Sequence, residues 1–323
     1  MKPILLAAFI SIGAAALTVF LFYKRDLGRA FDAVAHASSI AETSAGPIEY
    51  AERGAGSPLL SIHGAGGGFD QGLANAAVIV GPGFRIVSPS RFGYLRTLIP
   101  QDPSPAAQAD AHAALLSKLA VLKAVILGVS AGAPSAVELA LRHPDRVAAL
   151  ILGIPALYSP ESPVSLKEGP GNKVAFWLVN NGGDFMWWTA ENIAPSMLMR
   201  FMGVEPSLVA AAPQAERDAV TAIVKSVEPL SLRFPGIKVD IATQLRELPL
   251  EKIAAPVLIV TARDDLFNTL PAAEFTAGKI PGAKLIVYDN GGHLLVGRGK
   301  HVREQVRAFL SKAGLAPEAG NKS

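Results

Sequence analysis

The sequence contains no cysteine. Disulfides, thiolate nucleophiles and cysteine-based metal sites are excluded, while the redox compartment stays open, because a chain without thiols tolerates either environment. Charge is also scarce. Only 18% of the 323 residues are Asp, Glu, Lys or Arg, and 30 basic residues barely outnumber 27 acidic ones. The net charge is +3 and no long Lys/Arg run occurs, so a nucleic-acid partner has no support. No repeat at solenoid spacing is visible. There is no G-x-x-x-x-G-K-[ST] phosphate loop, and the glycines do not make a dinucleotide fingerprint.

What the chain does have is apolar material. Half of the residues are hydrophobic, enough for one large domain with an inserted subdomain, or for two modest domains. The longest apolar run comes first. From Pro3 to Tyr23 no residue is charged, and about 20 apolar residues suffice for a helix to cross the hydrocarbon core of a bilayer. Residues 1–23 therefore read as a transmembrane anchor and imply a membrane partner. A cleaved signal peptide is the rival reading. Its apolar stretch would be shorter, and the nearest small-x-small site, Ala35-His36-Ala37, lies beyond the basic cluster Lys24, Arg25 and Arg29. Orientation stays open. Lys2 favours a cytoplasmic N-terminus, and the later basic cluster favours the opposite.

Residues 24–45 are polar, small and rich in Ala and Ser, and read as a tether. Beyond them, short apolar runs alternate with helical stretches. Strands are expected at Leu59–His63, Phe84–Ser88, Ala124–Gly128, Val147–Ile154, Pro256–Thr261 and Lys284–Tyr288. Helices are expected at Ala107–Leu122 and Ala133–His143. Uninterrupted apolar strands between helices predict a mostly parallel sheet covered on both faces, an α/β fold. Residues 158–249 break the rhythm and carry Trp177, Trp187, Trp188 and a Met-rich run at 197–202. They read as a helical cap inserted before the last two core strands, with 46–157 and 250–314 forming the core and 315–323 a tail. The tryptophans are candidates for an apolar pocket or for the cap's own core.

Gly128-Val129-Ser130-Ala131-Gly132 fits G-x-S-x-G between an apolar strand and a helix. The glycines permit a sharp reversal that lifts the Ser130 hydroxyl over the sheet edge. The helix N-terminus behind it favours developing negative charge. His63-Gly64-Ala65-Gly66-Gly67-Gly68 follows another strand, and the Ala65 and Ala131 N–H groups are the candidate oxyanion donors. Of six histidines, His36 lies in the tether, His63 shapes the glycine loop, and His301 starts the last helix. His112 and His143 fall on helices, where a surface position is the default. His293 alone follows a strand and a glycine pair, the placement a general base needs. Thr261-Ala262-Arg263-Asp264-Asp265 offers two candidates for the acid that orients it. Asp265 suits the loop better, because Asp264 lies nearer the strand end.

These pieces together resemble the α/β-hydrolase superfamily over about 46–310. They are HGAGGG at 63–68, PSRFGY at 89–94, GVSAG at 128–132, RHPDRVAALIL at 142–152, PVLIVTARDD at 256–265 and GGHLLVG at 291–297. The resemblance implies a Ser130–Asp265–His293 triad with an oxyanion hole from Ala65 and Ala131, no metal, no cofactor and a small-molecule substrate. One departure is Ser90, where many members carry Asp. The serine nucleophile also separates the chain from the dehalogenase and epoxide hydrolase branches. The implied reaction is cleavage of an ester of an apolar or lipid-like substrate through an acyl-enzyme. The alternatives are a C–C bond hydrolase of a vinylogous diketone, which uses the same triad, and a ligand-binding protein on a hydrolase fold.

Overall fold

The computed structural model describes residues 2–161 and 183–315. One eight-stranded sheet organises them, in the order β1-β2-β4-β3-β5-β6-β7-β8. Strands β3 (Ser57–Ile62), β4 (Phe84–Pro89), β5 (Ala124–Val129), β6 (Val147–Gly153), β7 (Val257–Ala262) and β8 (Lys284–Tyr288) run parallel. An antiparallel pair, β1 (Ser39–Thr43) and β2 (Gly46–Arg53), closes the β4 edge.

Successive residues of the central strands feed opposite faces, as the two-residue period requires. Ile126, Leu150, Leu152 and Ile259 pack beneath α3 (Pro105–Lys118), α4 (Ala133–Arg142) and α10 (Leu270–Lys279). Val125, Leu127, Ile151 and Leu258 pack on the other side, with α2 (Phe69–Ile79) and α11 (Gly299–Lys312). Each such side chain contributes roughly 1.5–3 kcal/mol on burial, so a strand covered twice must be apolar throughout. That is why β5 and β7 show no polar alternation.

The cap lies between β6 and β7. Its described part holds α5 (Gly183–Ile193), α6 (Pro195–Phe201), α7 (Pro206–Ala211), α8 (Gln214–Lys225) and α9 (Phe234–Ala242). Trp187, Leu198, Val224, Val227 and Leu230 form a small core of its own. Trp188 instead packs on Tyr23, with ring centroids 5.8 Å apart. Neither described tryptophan joins the cavity described below. Trp177 lies outside the described residues.

Two stretches differ in detail from the expectation. Residues 24–45, read as a tether, are built of regular elements. The first helix, α1, runs unbroken from Lys2 to Ala35, and Ser39–Thr43 is the edge strand β1. Leu27, Phe31 and Val34 recur at helical spacing. Leu27 and Val34 are buried, and Val34 joins the sheet's core cluster. Helix α3 does not reach Leu122. It stops at Lys118, Ala120 adopts a left-handed backbone (φ +54°), and Leu122 stands exposed as the chain turns into β5.

Candidate active site

Strand β5 delivers Ser130 at its carboxyl end and α4 leaves three residues later, so the chain reverses within a single turn. Ser130 sits at φ +50°, a region costly for a residue with a side chain and characteristic of strained functional turns. The flanking glycines are obligatory by contact. A Cβ at Gly132 would stand 2.5 Å from the His63 carbonyl oxygen, and one at Gly128 2.6 Å from Ala136 Cβ.

His293 follows β8 on a short turn. Asp264 shapes that turn by accepting the Gly291 and Gly292 N–H groups at 3.2 and 2.7 Å. The imidazole lies between two partners. Nδ1 is 3.0 Å from Asp265 Oδ2, and Nε2 is 2.9 Å from Ser130 Oγ. With Nδ1 donating to the carboxylate, Nε2 is left as the acceptor for the serine proton. Asp265 is buried, which alone would raise its pKa. Hydrogen bonds from His293, Thr269 Oγ1 and the Phe267 N–H outweigh burial and hold the carboxyl below its usual range. The structure thus brings Ser130, His293 and Asp265 into one hydrogen-bonded chain. Asp264 stands outside it and holds the histidine's loop.

The 63–68 loop lies directly beside the serine. A Cβ at Gly64 would be 3.2 Å from Ser130 Cβ. His63 is fully buried and braces this loop. Its Nδ1 meets the Gly64 carbonyl at 2.7 Å, and its Nε2 accepts the Arg91 N–H at 2.9 Å. Burial, reinforced by the Arg91 charge, keeps this imidazole neutral, with its pKa well below the ordinary value. The amides flanking Ala65 are engaged. Gly64 N–H donates to Gln71 Oε1 at 2.9 Å and Gly66 N–H to Tyr94 Oη at 3.3 Å.

Several supporting residues carry no local sequence signal. Arg91 is buried, bonds Gly64 O at 3.1 Å, and grips Asp240 of α9 through both nitrogens at 2.6 and 2.7 Å. Tyr94 Oη donates to the same carboxylate. The cap residue Arg233 grips Asp70 in the first turn of α2 at 3.0 and 2.7 Å. Gly203, just after α6, accepts the His293 N–H at 3.1 Å. Arg91 and Tyr94 belong to the PSRFGY segment, whose roles only the fold reveals. Ser90 is buried, accepts the Phe69 N–H at 3.1 Å and donates to Glu49 at 2.8 Å, so it ties a loop together.

His112 departs from the surface default. It is fully buried, 3.3 Å from Ser135 Oγ, and burial pushes its pKa down to about 3. His143 is half-exposed beside Asp110 at 2.7 Å. His36 and His301 are exposed. Among the described residues no group of His, Asp and Glu could hold a metal ion. A crevice of about 900 Å³ opens between the starts of α3 and α4 and the cap helix α9, lined by Pro134, Leu157, Tyr158 and Val239 among others. Ser130, Asp265 and His293 do not line it.

The chain is similar to known proteins in sequence and fold. An alpha/beta hydrolase fold protein from Nakamurella multipartita superimposes with a TM-score of 0.70 and 28% identity, covering 86% of this chain and 99% of that one. A 2-hydroxy-6-oxononadienedioate/2-hydroxy-6-oxononatrienedioate hydrolase of Pseudomonas putida is 28% identical over 259 residues, 76% of this chain and 85% of the relative. A pimeloyl-[acyl-carrier protein] methyl ester esterase of Aromatoleum aromaticum is 28% identical over 176 residues, 53% of this chain and 66% of the relative. The matches to relatives from Bacillus subtilis and Cupriavidus pinatubonensis span 37% and 58% of those proteins, under two thirds of their length. The model of the alpha/beta hydrolase family matches residues 59–302, and the chain belongs to that family.

Proposed function

We propose that this hydrolase is a serine enzyme that cleaves a carboxylic ester of an apolar or lipid-like substrate through an acyl-enzyme. The observation that carries the reading is the chain of hydrogen bonds from Ser130 through His293 to Asp265, set on a strained strand-to-helix turn. His293 Nε2 takes the Ser130 proton as Oγ attacks the carbonyl. Asp265 fixes the tautomer and stabilises the imidazolium. The Ala65 and Ala131 N–H groups receive the oxyanion, and the N-terminus of α4 adds a favourable field. His293 then protonates the leaving alcohol, and water activated by the same imidazole releases the acid.

A C–C bond hydrolase of a vinylogous diketone is the second reading, favoured by the relative from Pseudomonas putida, whose match covers most of both chains. The site's charge balance supports the ester. The dioate in that relative's name is a dianion. Here the two buried guanidinium groups nearest the 63–68 loop, Arg91 and Arg233, are each paired with an aspartate. Phe267 adds an apolar neighbour to His293, its ring edge-on at 4.6 Å.

The test is a fluorophosphonate probe followed by a substrate panel. Labelling at Ser130, its loss in Ser130→Ala, and turnover of apolar esters over a vinylogous diketone acid are the expected results. Ester turnover by purified Ser130→Ala close to that of the native protein overturns the serine mechanism. Preferred turnover of the diketone acid overturns the ester.

A further inference from the structure

We infer that the cap helices α5 and α6 rest in the interfacial layer of the bilayer that α1 crosses, so that the cap is itself a membrane-contacting surface. This rests on reading α1 as a membrane anchor.

Residues 4–22 are uncharged, apolar but for Ser11 and Thr18, and exposed along their whole length. At 1.5 Å per residue they span about 28 Å, close to the roughly 30 Å of a hydrocarbon core. Tyr23, the next residue, then falls at the boundary, where tyrosine and tryptophan concentrate in membrane proteins. Tyr23 packs on α5. Its ring centroid lies 5.1 Å from that of Phe185 and 5.8 Å from that of Trp188. One turn later Asp26 accepts the Trp188 indole N–H at 3.2 Å, and Leu27 is buried. These contacts fix the Phe185–Trp188 turn of α5 within one side-chain length of the boundary.

At that depth the cap offers a lipid surface what it needs. Phe185, Met186, Ile193, Met197 and Phe201 are all exposed, with Ile193 at 77%. Met186 and Ile193 are seven residues apart on α5, and Met197 and Phe201 four apart on α6, so each pair shares a helix face. A group of large apolar side chains left in water marks an interaction site. Lys24, Arg25 and Arg29 are exposed beside it, suited to anionic headgroups. The anchor's continuity with this face makes the occupant the bilayer itself. The face also ends at the chemistry. Two residues past Phe201, the Gly203 carbonyl accepts N–H groups from His293 at 3.1 Å and Leu266 at 3.2 Å. An ester lodged among the lipids would meet the serine along this wall.

The cysteine-free sequence allows a direct test. Single-cysteine variants Ile193→Cys, Met197→Cys and Phe201→Cys are made in the full chain, with Phe9→Cys in the anchor and Leu122→Cys on the exposed turn before β5. Each carries an environment-sensitive fluorophore and is reconstituted in phosphatidylcholine–phosphatidylglycerol vesicles containing a lipid-borne quencher. A shared thermal midpoint verifies folding. Severalfold loss of emission at 9, 193, 197 and 201, with none at 122, is the expected pattern. Quenching at 9 alone overturns the cap contact and leaves the anchor standing. No quenching at 9 removes the anchor, and the cap proposal falls with it.

Discussion

Arg91 and Asp240 form a bidentate ion pair across the junction of core and cap, with both side chains almost fully buried. Arg91 also holds the Gly64 carbonyl, and Tyr94 links Asp240 to the Gly66 N–H. One cap carboxylate therefore braces the loop beside Ser130. Asp240→Ala leaves a guanidinium buried without its partner, and such a loss costs about 3–5 kcal/mol. We expect a lower thermal midpoint together with a reduced kcat on a soluble ester. Asp240→Asn, which keeps one acceptor, should lose less of both. Unchanged stability and kcat in Asp240→Ala would show that the loop holds its shape without the cap.

The neighbouring aspartates 264 and 265 have separate tasks. Asp265→Asn removes the charge that stabilises the imidazolium and permits the wrong tautomer. Its kcat should fall by about 10⁴-fold, as for the equivalent change in serine proteases. Asp264→Asn retains an acceptor for the Gly291 and Gly292 amides and should lose far less. Side-by-side kinetics decide the matter, and a dead Asp264→Asn with an active Asp265→Asn would reverse the roles.

The sequence showed the parallel sheet because β3 to β7 are largely buried and the edge strand β8 partly so, and all are spelled largely in apolar residues. It did not show β1 and β2, where exposed and buried positions mix. Glu49 in β2 is buried, its carboxylate satisfied by Ser38, Ser90 and Arg96. No propensity announces such a residue. Ser130 and His293 stood out because each follows a strand within a glycine turn. The choice between Asp264 and Asp265 was open in sequence, since one residue's shift redirects the side chain. The Arg91–Asp240 and Arg233–Asp70 pairs join residues 149 and 163 positions apart, so nothing local records them.

Buried His112 makes the fold acid-sensitive. Its folded pKa of about 3 lies below the ordinary 6.5, so its contribution is complete above that value and is lost as pH falls toward 3. At pH 5 the loss is about 2 kcal/mol. His63 is shifted in the same direction. In His112→Phe the slope of stability against pH below 6.5 should flatten by about 1.4 kcal/mol per pH unit. Thermal midpoints in mild detergent between pH 7 and 5 test this, and an unaltered slope would mean His112 reaches solvent before the fold opens.

The junction of the cap with α1 has the opposite dependence. Burial, followed by the charge of Glu228, raises the Glu191 pKa to about 8. Burial, with Asp184 and Asp26 nearby, raises that of Glu228 to about 7. A carboxyl that keeps its proton when folded favours the fold fully below its unfolded pKa. It loses that contribution as pH climbs through the folded value. Glu191→Gln keeps an acceptor for the Trp187 indole N–H and should raise the thermal midpoint far more at pH 8 than at pH 5. An equal effect at both values would point to packing rather than ionisation.

Helix α1 has two halves with different duties, and truncation separates them. Residues 4–22 are exposed, whereas Leu27 is buried and Val34 is buried in the sheet's core cluster. A chain beginning at Tyr23 keeps the ring contacts with Phe185 and Trp188 and the Asp26 hydrogen bond. It should dissolve without detergent and melt near the full-length temperature. A chain beginning at Ser38 loses both buried side chains, roughly 1.5–3 kcal/mol each by area. At about 2.1 cal/mol/K of unfolding entropy per residue, a protein of this size loses about 1.5 °C per kcal/mol, so a drop of about 5–9 °C is expected. Differential scanning fluorimetry of the two truncated forms gives the answer. If the shorter form melts as high as the longer one, residues 23–37 add nothing to the stability of the fold, and the cap needs no support from α1.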